Sequence, residues 1–314
     1  MKKIISLLLI GAAAGAVMGF SMNELQKMNS SFAYNAPIKP ELGASIEQTT
    51  SQSSPTSSPF KNPEVKAASA LLLEITVDGQ ENLIFAKNPE QATPIASLTK
   101  LMTAIIAAEF YRQNEGIIVS EQAVKQMDAS GDLNTGEQLK VEKLLKIMLI
   151  ESSNDAAFAL TELMGGQEGF IALMNLKAKD LGLKSTHFFN VNGLDPEDAG
   201  LAVNQINYST VSDLAEITRY IINYHPEIMD MLNKKESALY SDDGQFYHQL
   251  TSTNELLGKI PSIIGGKTGT TERAGGCLVL ILQGKNHGDT AIAIVLNSPD
   301  KFKDMENLVN AYGF

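Results

Sequence analysis

Ser97 and Lys100 stand three residues apart, just after Pro94. An amine can take the proton of a serine hydroxyl when burial or a neighbouring cation lowers its pKa. On a helix, residues i and i+3 share a face, so both side chains would point at one site. A serine in the first turn also lies at the positive end of the helix dipole, which favours an oxyanion there. The spacing alone is weak, because an N-cap serine followed by a surface lysine has the same pattern. The chain holds two further copies, Ser58-Pro-Phe-Lys61 and Ser298-Pro-Asp-Lys301. The first falls in a low-complexity stretch and the second is expected in a Pro-containing loop. Ser97 alone is expected to open a helix, which makes it the candidate nucleophile and Lys100 its base.

Two later motifs could complete such a site. Ser152-Ser-Asn154 lies between two helical patterns, where a hydroxyl and an amide could face a cleft; helix capping explains the same residues equally well. Ser-x-Asn also occurs at Ser21, in the apolar N-terminal segment, and at Ser252, in a polar stretch. Lys267-Thr268-Gly269 occurs once and ends a strand-like segment. A lysine and a hydroxyl at a strand edge could hold an anion, and the glycine would let a substrate backbone approach. A turn between strands is the plainer reading. The order is more telling than any one motif. Ser152 and Lys267 follow Ser97 by about 55 and about 170 residues.

The elements that must position these residues are legible as periodicities. Apolar runs at 70–76 and 83–86 flank Asp78-Gly79, a hairpin signal. Helical patterns cover 97–111, 141–150, 155–164 and 170–181, with glycine following the last two. Thr210-x-x-Asp213 resembles a capping box opening a helix through 222. Runs at 263–268, 277–283 and 290–296 read as three adjacent antiparallel strands, and 304–311 as a final amphipathic helix. Strands at both ends with helices between imply an α+β fold, an antiparallel sheet joining both ends of the domain beside a helical subdomain.

Composition narrows the function. The chain has 314 residues and a net charge of −11, which argues against a nucleic-acid partner. Its lone cysteine, Cys277, sits in an apolar strand-like run and reads as core. The four histidines show no metal-ligand spacing, so no metal or other cofactor is expected. Only Arg112, Arg219 and Arg273 could supply a bidentate grip on a carboxylate. Two lysines precede an uncharged run from Ile4 to Met22, so 1–22 reads as a signal peptide or, preferably, an uncleaved anchor. Residues 23–64, rich in Ser, Thr, Gln and Pro, read as a tether, and 65–314 as the folded domain. The basic start places that domain outside the cytoplasm, attached to the membrane or secreted.

With all three motifs in order, residues 67–314 resemble the low-molecular-mass D-alanyl-D-alanine carboxypeptidases, serine peptidases of the penicillin-binding superfamily. The segments around Pro94, Glu151, Lys179, Thr186, Tyr208 and Gly266, and the closing Tyr312-Gly-Phe, are similar to theirs. The resemblance implies a β-lactamase/transpeptidase-like fold and an acyl-enzyme on Ser97. Lys100 would take the proton, Ser152 would relay one to the leaving amine, and Asn154 would hold the substrate amide. Lys267, Thr268, Gly269 and Thr270 would form the substrate-binding strand. The backbone N–H groups of Ser97 and Thr270 would bind the oxyanion. It also implies peptidoglycan pentapeptide stems as substrate and β-lactam antibiotics as covalent inhibitors.

Two departures stand out. Relatives often carry an arginine on the strand beside the Lys-Thr-Gly strand; 290–296 has none, which leaves Lys267, Thr268 and Thr270, or Arg273 from the next turn. Many relatives also carry a further β-rich domain and an anchoring helix after the catalytic domain, so anchorage here is expected at the N-terminus. A D,D-endopeptidase would share every motif. A β-lactamase is disfavoured because no Glu-x-x-Leu-Asn segment lies between Ser152 and Lys267, and Glu168 reads as a helix start. A catalytically silent penicillin-binding module is disfavoured because the reactive residues are intact.

A base role for Lys100 has a sharp consequence. Lys100→Arg keeps the charge but supplies a guanidinium that cannot give up its proton. Labelling of Ser97 by a fluorescent penicillin should slow by about 100-fold or more; labelling at the wild-type rate would refute the role.

Overall fold

The computed structural model describes residues 63–241 and 244–313. The expected membrane segment and the expected tether up to residue 62 lie outside the described residues; within them, no helix is long and apolar enough to cross a membrane.

The first hairpin forms as expected. Strands β1 (Ser69–Ile75) and β2 (Glu81–Lys87) pair antiparallel around a turn in which Gly79 takes φ +82°, a conformation glycine adopts without cost. After a two-strand pair of β3 (Thr93–Pro94) with β6 (Tyr208–Ser209), the chain enters helix α1 (Thr99–Phe110). The other elements of the helical region are β4 (Gly116–Ile118), α2 (Glu121–Val124), β5 (Gln138–Lys140), α3 (Val141–Ile150), α4 (Asn154–Ala159), α5 (Gln167–Asp180), α6 (Val211–Tyr224) and α7 (Pro226–Leu232). A hairpin of β7 (Glu236–Tyr240) and β8 (Phe246–Thr251) follows. Strands β9 (Ile263–Thr271), β10 (Gly275–Gln283) and β11 (Thr290–Ser298) and helix α8 (Lys301–Tyr312) complete the domain.

The main sheet has the order β2-β1-β11-β10-β9, antiparallel throughout, so the first and last strands are neighbours. Strand side chains alternate between faces. On β10, Leu278, Leu280 and Leu282 pack with Met305, Leu308 and Tyr312 of α8. Cys277, Val279 and Ile281 face the opposite core, which the helical region fills. With both faces covered, the strand reads as one continuous apolar run. Cys277 is buried in that core, as the sequence suggests.

Helix α1 departs from the amphipathic pattern. Every residue from Thr99 to Ala107 is buried, because the helix runs through the middle of the domain against α3, α5 and α6. Its position is imposed by packing on all sides, the expected state of a helix apolar all round. Thr210 caps α6 by accepting from the Asp213 backbone N–H. Asp213 does not reach back as a capping-box acid would. Its carboxylate instead accepts from Lys184 N, Ser185 N and Thr186 Oγ1 and fastens the loop after α5.

The two ends of the domain are stitched by one buried carboxylate. Asp304 of α8 accepts from Lys66 N and Ala67 N, each at 2.7 Å, and from Ser298 Oγ at 2.6 Å. Asp304→Asn turns one acceptor into a donor facing donors, so it should destabilise the domain by about 1–3 kcal/mol in urea unfolding. An unchanged midpoint would show that the stitch contributes nothing.

Candidate functional site

Ser97 does not sit in the first turn of α1. It is the middle residue of a short 3-10 turn, Ala96–Leu98, that precedes the helix. Ala96 takes φ +46°, an unfavourable conformation for a residue with a Cβ. The surroundings over-determine it. Ile95 N donates to Asn207 O at 3.3 Å, and Asn207 Nδ2 donates to Thr99 Oγ1 at 2.9 Å. Gly193 presses on the turn from the other side: a Cβ there would lie 1.9 Å from Ala96 O. The strain turns Ser97 out of the central helix so that it is partly exposed, while Lys100 one turn on is fully buried.

Lys100 Nζ has three oxygen neighbours: Ser97 Oγ at 2.8 Å, Asn154 Oδ1 at 2.7 Å and Asn192 O at 2.8 Å. Asn154 is oriented by donating from Nδ2 to Met127 O at 2.7 Å. Burial, with the charge of Lys267 next in weight, holds the Lys100 amine well below the ordinary lysine range. A neutral amine there donates to the two acceptor-only carbonyl oxygens of Asn154 and Asn192, which leaves its lone pair facing the Ser97 hydroxyl.

Ser152 links α3 to α4 with φ +66°, at a cost of about 1–2 kcal/mol for a residue other than glycine. That turn brings its Oγ to 2.8 Å from Lys267 Nζ. Lys267 is buried on β9 and also donates to Thr268 O at 3.0 Å. Burial first, and the nearby Lys301 second, lower its pKa to about 7. Thr268 shares a 2.5 Å hydrogen bond with Thr253. Gly269 lets β9 close on the Ser97 turn, since a Cβ there would lie 3.0 Å from Ser97 N. All eight residues expected at the site therefore converge: Ser97, Lys100, Ser152 and Asn154 from the helical region, and Lys267, Thr268, Gly269 and Thr270 from the sheet edge.

The basic side chains around β9 are arranged differently from the expectation. The strand beside β9 is β10, not β11, and it too has no arginine. Arg273 turns away: its guanidinium pairs with Glu197 and donates to Val203 O at 3.2 Å. Arg219 is tied to Glu81 and Glu216. The cation near Thr270 is Lys301, from the third Ser-x-x-Lys copy. The Pro-containing loop expected there is only Pro299-Asp300; Ser298 ends β11 and Lys301 starts α8. Lys301 Nζ donates to Thr270 Oγ1 at 2.7 Å. Its stem crosses β10 at Gly276, where a Cβ would lie 3.1 Å from Lys301 Cβ. Gly276 is the register partner of Thr270, so the missing side chain opens the path.

Asn192 and Thr253 belong to the site as well and have no motif of their own. A backbone carbonyl can come from any residue, so Asn192 has no signature. Lys301 had a faint one in its spacing.

This serine-lysine cluster sits on a penicillin-binding-protein fold. The penicillin-binding protein D2 of Listeria monocytogenes, solved in an ampicillin-bound form, is similar at 30% identity and a TM-score of 0.64, over 80% of this chain and 99% of that one. The family model described as D-alanyl-D-alanine carboxypeptidase, peptidase S11, matches residues 55–300, and the chain belongs to that family. The carboxypeptidase DacF of Bacillus subtilis is 32% identical over 74% of this chain and 58% of its own length. A D-alanyl-D-alanine endopeptidase of Escherichia coli is 27% identical over 78% of this chain and 73% of its own. The chain spans 58% of the length of that DacF and 54% of the length of the Escherichia coli carboxypeptidase DacD, to which it is also 32% identical.

The buried lysines set a stability signature. Lys267 titrates near 7 when folded and near about 10.4 when unfolded. Between those values the unfolded chain holds the extra proton, so this group makes stability rise with pH. The wild-type stability slope between pH 7 and 9 should therefore exceed that of Lys267→Met, by up to about 1.4 kcal/mol per pH unit. Equal slopes in paired denaturation series would contradict the lowered pKa.

Proposed function

We propose that the protein is a serine D-Ala-D-Ala carboxypeptidase that trims the terminal D-Ala from peptidoglycan stem peptides. The single observation that carries this reading is the buried Lys100 amine, held between two carbonyl acceptors with Ser97 Oγ at 2.8 Å. In the proposed reaction the Ser97 hydroxyl passes its proton to Lys100 as Oγ attacks the carbonyl of the penultimate D-Ala. The backbone N–H groups of Ser97 and Thr270 receive the oxyanion, worth about 3–4 kcal/mol per donor in comparable acyl transfers. The C–N bond then breaks, and the proton reaches the leaving amine through the Ser152 hydroxyl. D-Ala departs, and water hydrolyses the Ser97 ester by the same path in reverse.

Substrate selection follows from charge. Lys267 and Lys301, with the Thr268 and Thr270 hydroxyls, make a cationic, hydroxyl-rich corner for a terminal carboxylate on a chain of net charge −11. Asn154 would meet the substrate amide. β-Lactams would acylate Ser97 in the same pocket, in keeping with the ampicillin- and cefotaxime-bound forms of the Listeria relative. The apolar, basic-led N-terminal segment supports an extracytoplasmic domain tethered to the membrane. Endopeptidase cleavage of peptide cross-links is the alternative, since endopeptidases are among the similar proteins.

Digestion of a pentapeptide stem and of a cross-linked dimer, read by mass spectrometry, separates the two. Free D-Ala should appear from the pentapeptide, and Lys301→Met should raise KM about 10-fold or more, as expected for a lost charge-assisted contact. Cross-link cleavage with no free D-Ala would replace the carboxypeptidase reading with the endopeptidase one.

A further inference from the structure

Ser152 can serve the leaving amine only while it keeps its left-handed conformation. The residue before it, Glu151, is anchored by an element absent from the site motifs. Glu151 closes α3, and its carboxylate is largely buried. Oε1 accepts from Thr251 N at 3.2 Å, and Oε2 lies 2.9 Å from His248 Nε2. Both partners belong to β8. The opposite ring nitrogen, Nδ1, faces Asp132 at 3.6 Å, and the neighbouring Tyr247 donates to Glu137 at 3.0 Å. Just past β8, Thr253 N donates to Ile150 O at 3.3 Å, while its hydroxyl meets Thr268. The segment 247–253 thus bridges the end of α3 to the substrate strand.

We propose that Glu151 and His248 form a clasp that holds Ser152 in its strained, reactive placement, and that His248 is a positioning residue for protonation of the leaving group. The inference rests on the acyl-enzyme reading above. Without the clasp, the chain at 151–153 is free to relax toward the favoured right-handed region, which carries Ser152 Oγ away from Lys267. Lys301, Thr268 and Thr270 of the carboxylate-binding corner keep their own contacts, Lys301 with Thr270 and Thr268 with Thr253. The loss therefore falls on proton delivery to the departing group and spares substrate binding.

The test uses the full chain and two substrates that share an acyl part ending in D-Ala. One carries an amide leaving group and the other a thiolate, which departs without needing a proton. Pre-steady-state acylation of Ser97 is followed for wild type, His248→Phe, His248→Asn and His248→Gln. Phe removes the donor toward Glu151. Asn keeps a small polar group whose amide stands where Nδ1 was. Gln places its amide near Nε2 and should restore the clasp. The expected result is a fall of about 10–100-fold with the amide for Phe and Asn. The thiolester rate and substrate affinity should stay within about 3-fold of wild type, and Gln should match wild type on both substrates. If Phe fails to fold, the Asn and Gln pair carries the comparison. An equal fall with both leaving groups, no fall at all, or a Gln variant as slow as Asn would overturn the clasp. A wild-type chain that never acylates would instead overturn the functional reading beneath it.

Discussion

Two lysine side chains buried within one cleft are the constraint on which this structure depends. Moving an ammonium out of water costs several kcal/mol, and like charges add to the cost. The domain accommodates Lys100 and Lys267 by letting both fall in pKa and by surrounding each with oxygen. Lys100 gains two carbonyl acceptors beside the serine, and Lys267 gains Ser152 Oγ and its neighbour's carbonyl. The same burial that makes these groups costly lowers the pKa of each, which is what the base role proposed for Lys100 requires. Their stability cost and their chemical use are a single fact.

Around that cleft the fold divides its labour. The sheet, apolar on both faces and sewn at its ends by Asp304, supplies a rigid edge in β9. The helical region supplies the Ser97 turn and the strained Ser152. Of the described non-glycine residues with positive φ, Ala96 directly precedes Ser97 and Ser152 lies against Lys267. Each is held by neighbours distant in sequence: Gly193 and Asn207 for the first, the β8 strand for the second.

Much of this was legible in the sequence. Strands and most helices follow from their periodicities, and the adjacency of first and last strands follows from their placement at the two ends. Ser97, Lys100, Ser152, Asn154 and the Lys-Thr-Gly strand follow from ordered motifs. Helix α1 was harder to read, since its burial on all sides erases the one-faced pattern. The β7–β8 hairpin has strands that are partly polar and a role that is entirely long-range.

By itself, then, the sequence determined which residue types would react and which segments would carry them, because motif spacing and periodicity are local properties of the chain. Only the tertiary structure decided that Ser97 stands in a turn before the helix rather than within it. It alone decided that Asn192 holds Lys100, and that Lys301 rather than Arg273 approaches Thr270. The reason is physical. Lys301 is 31 residues from Thr270 along the chain, and reaches it across Gly276 because strand register, not spacing, sets those two residues side by side.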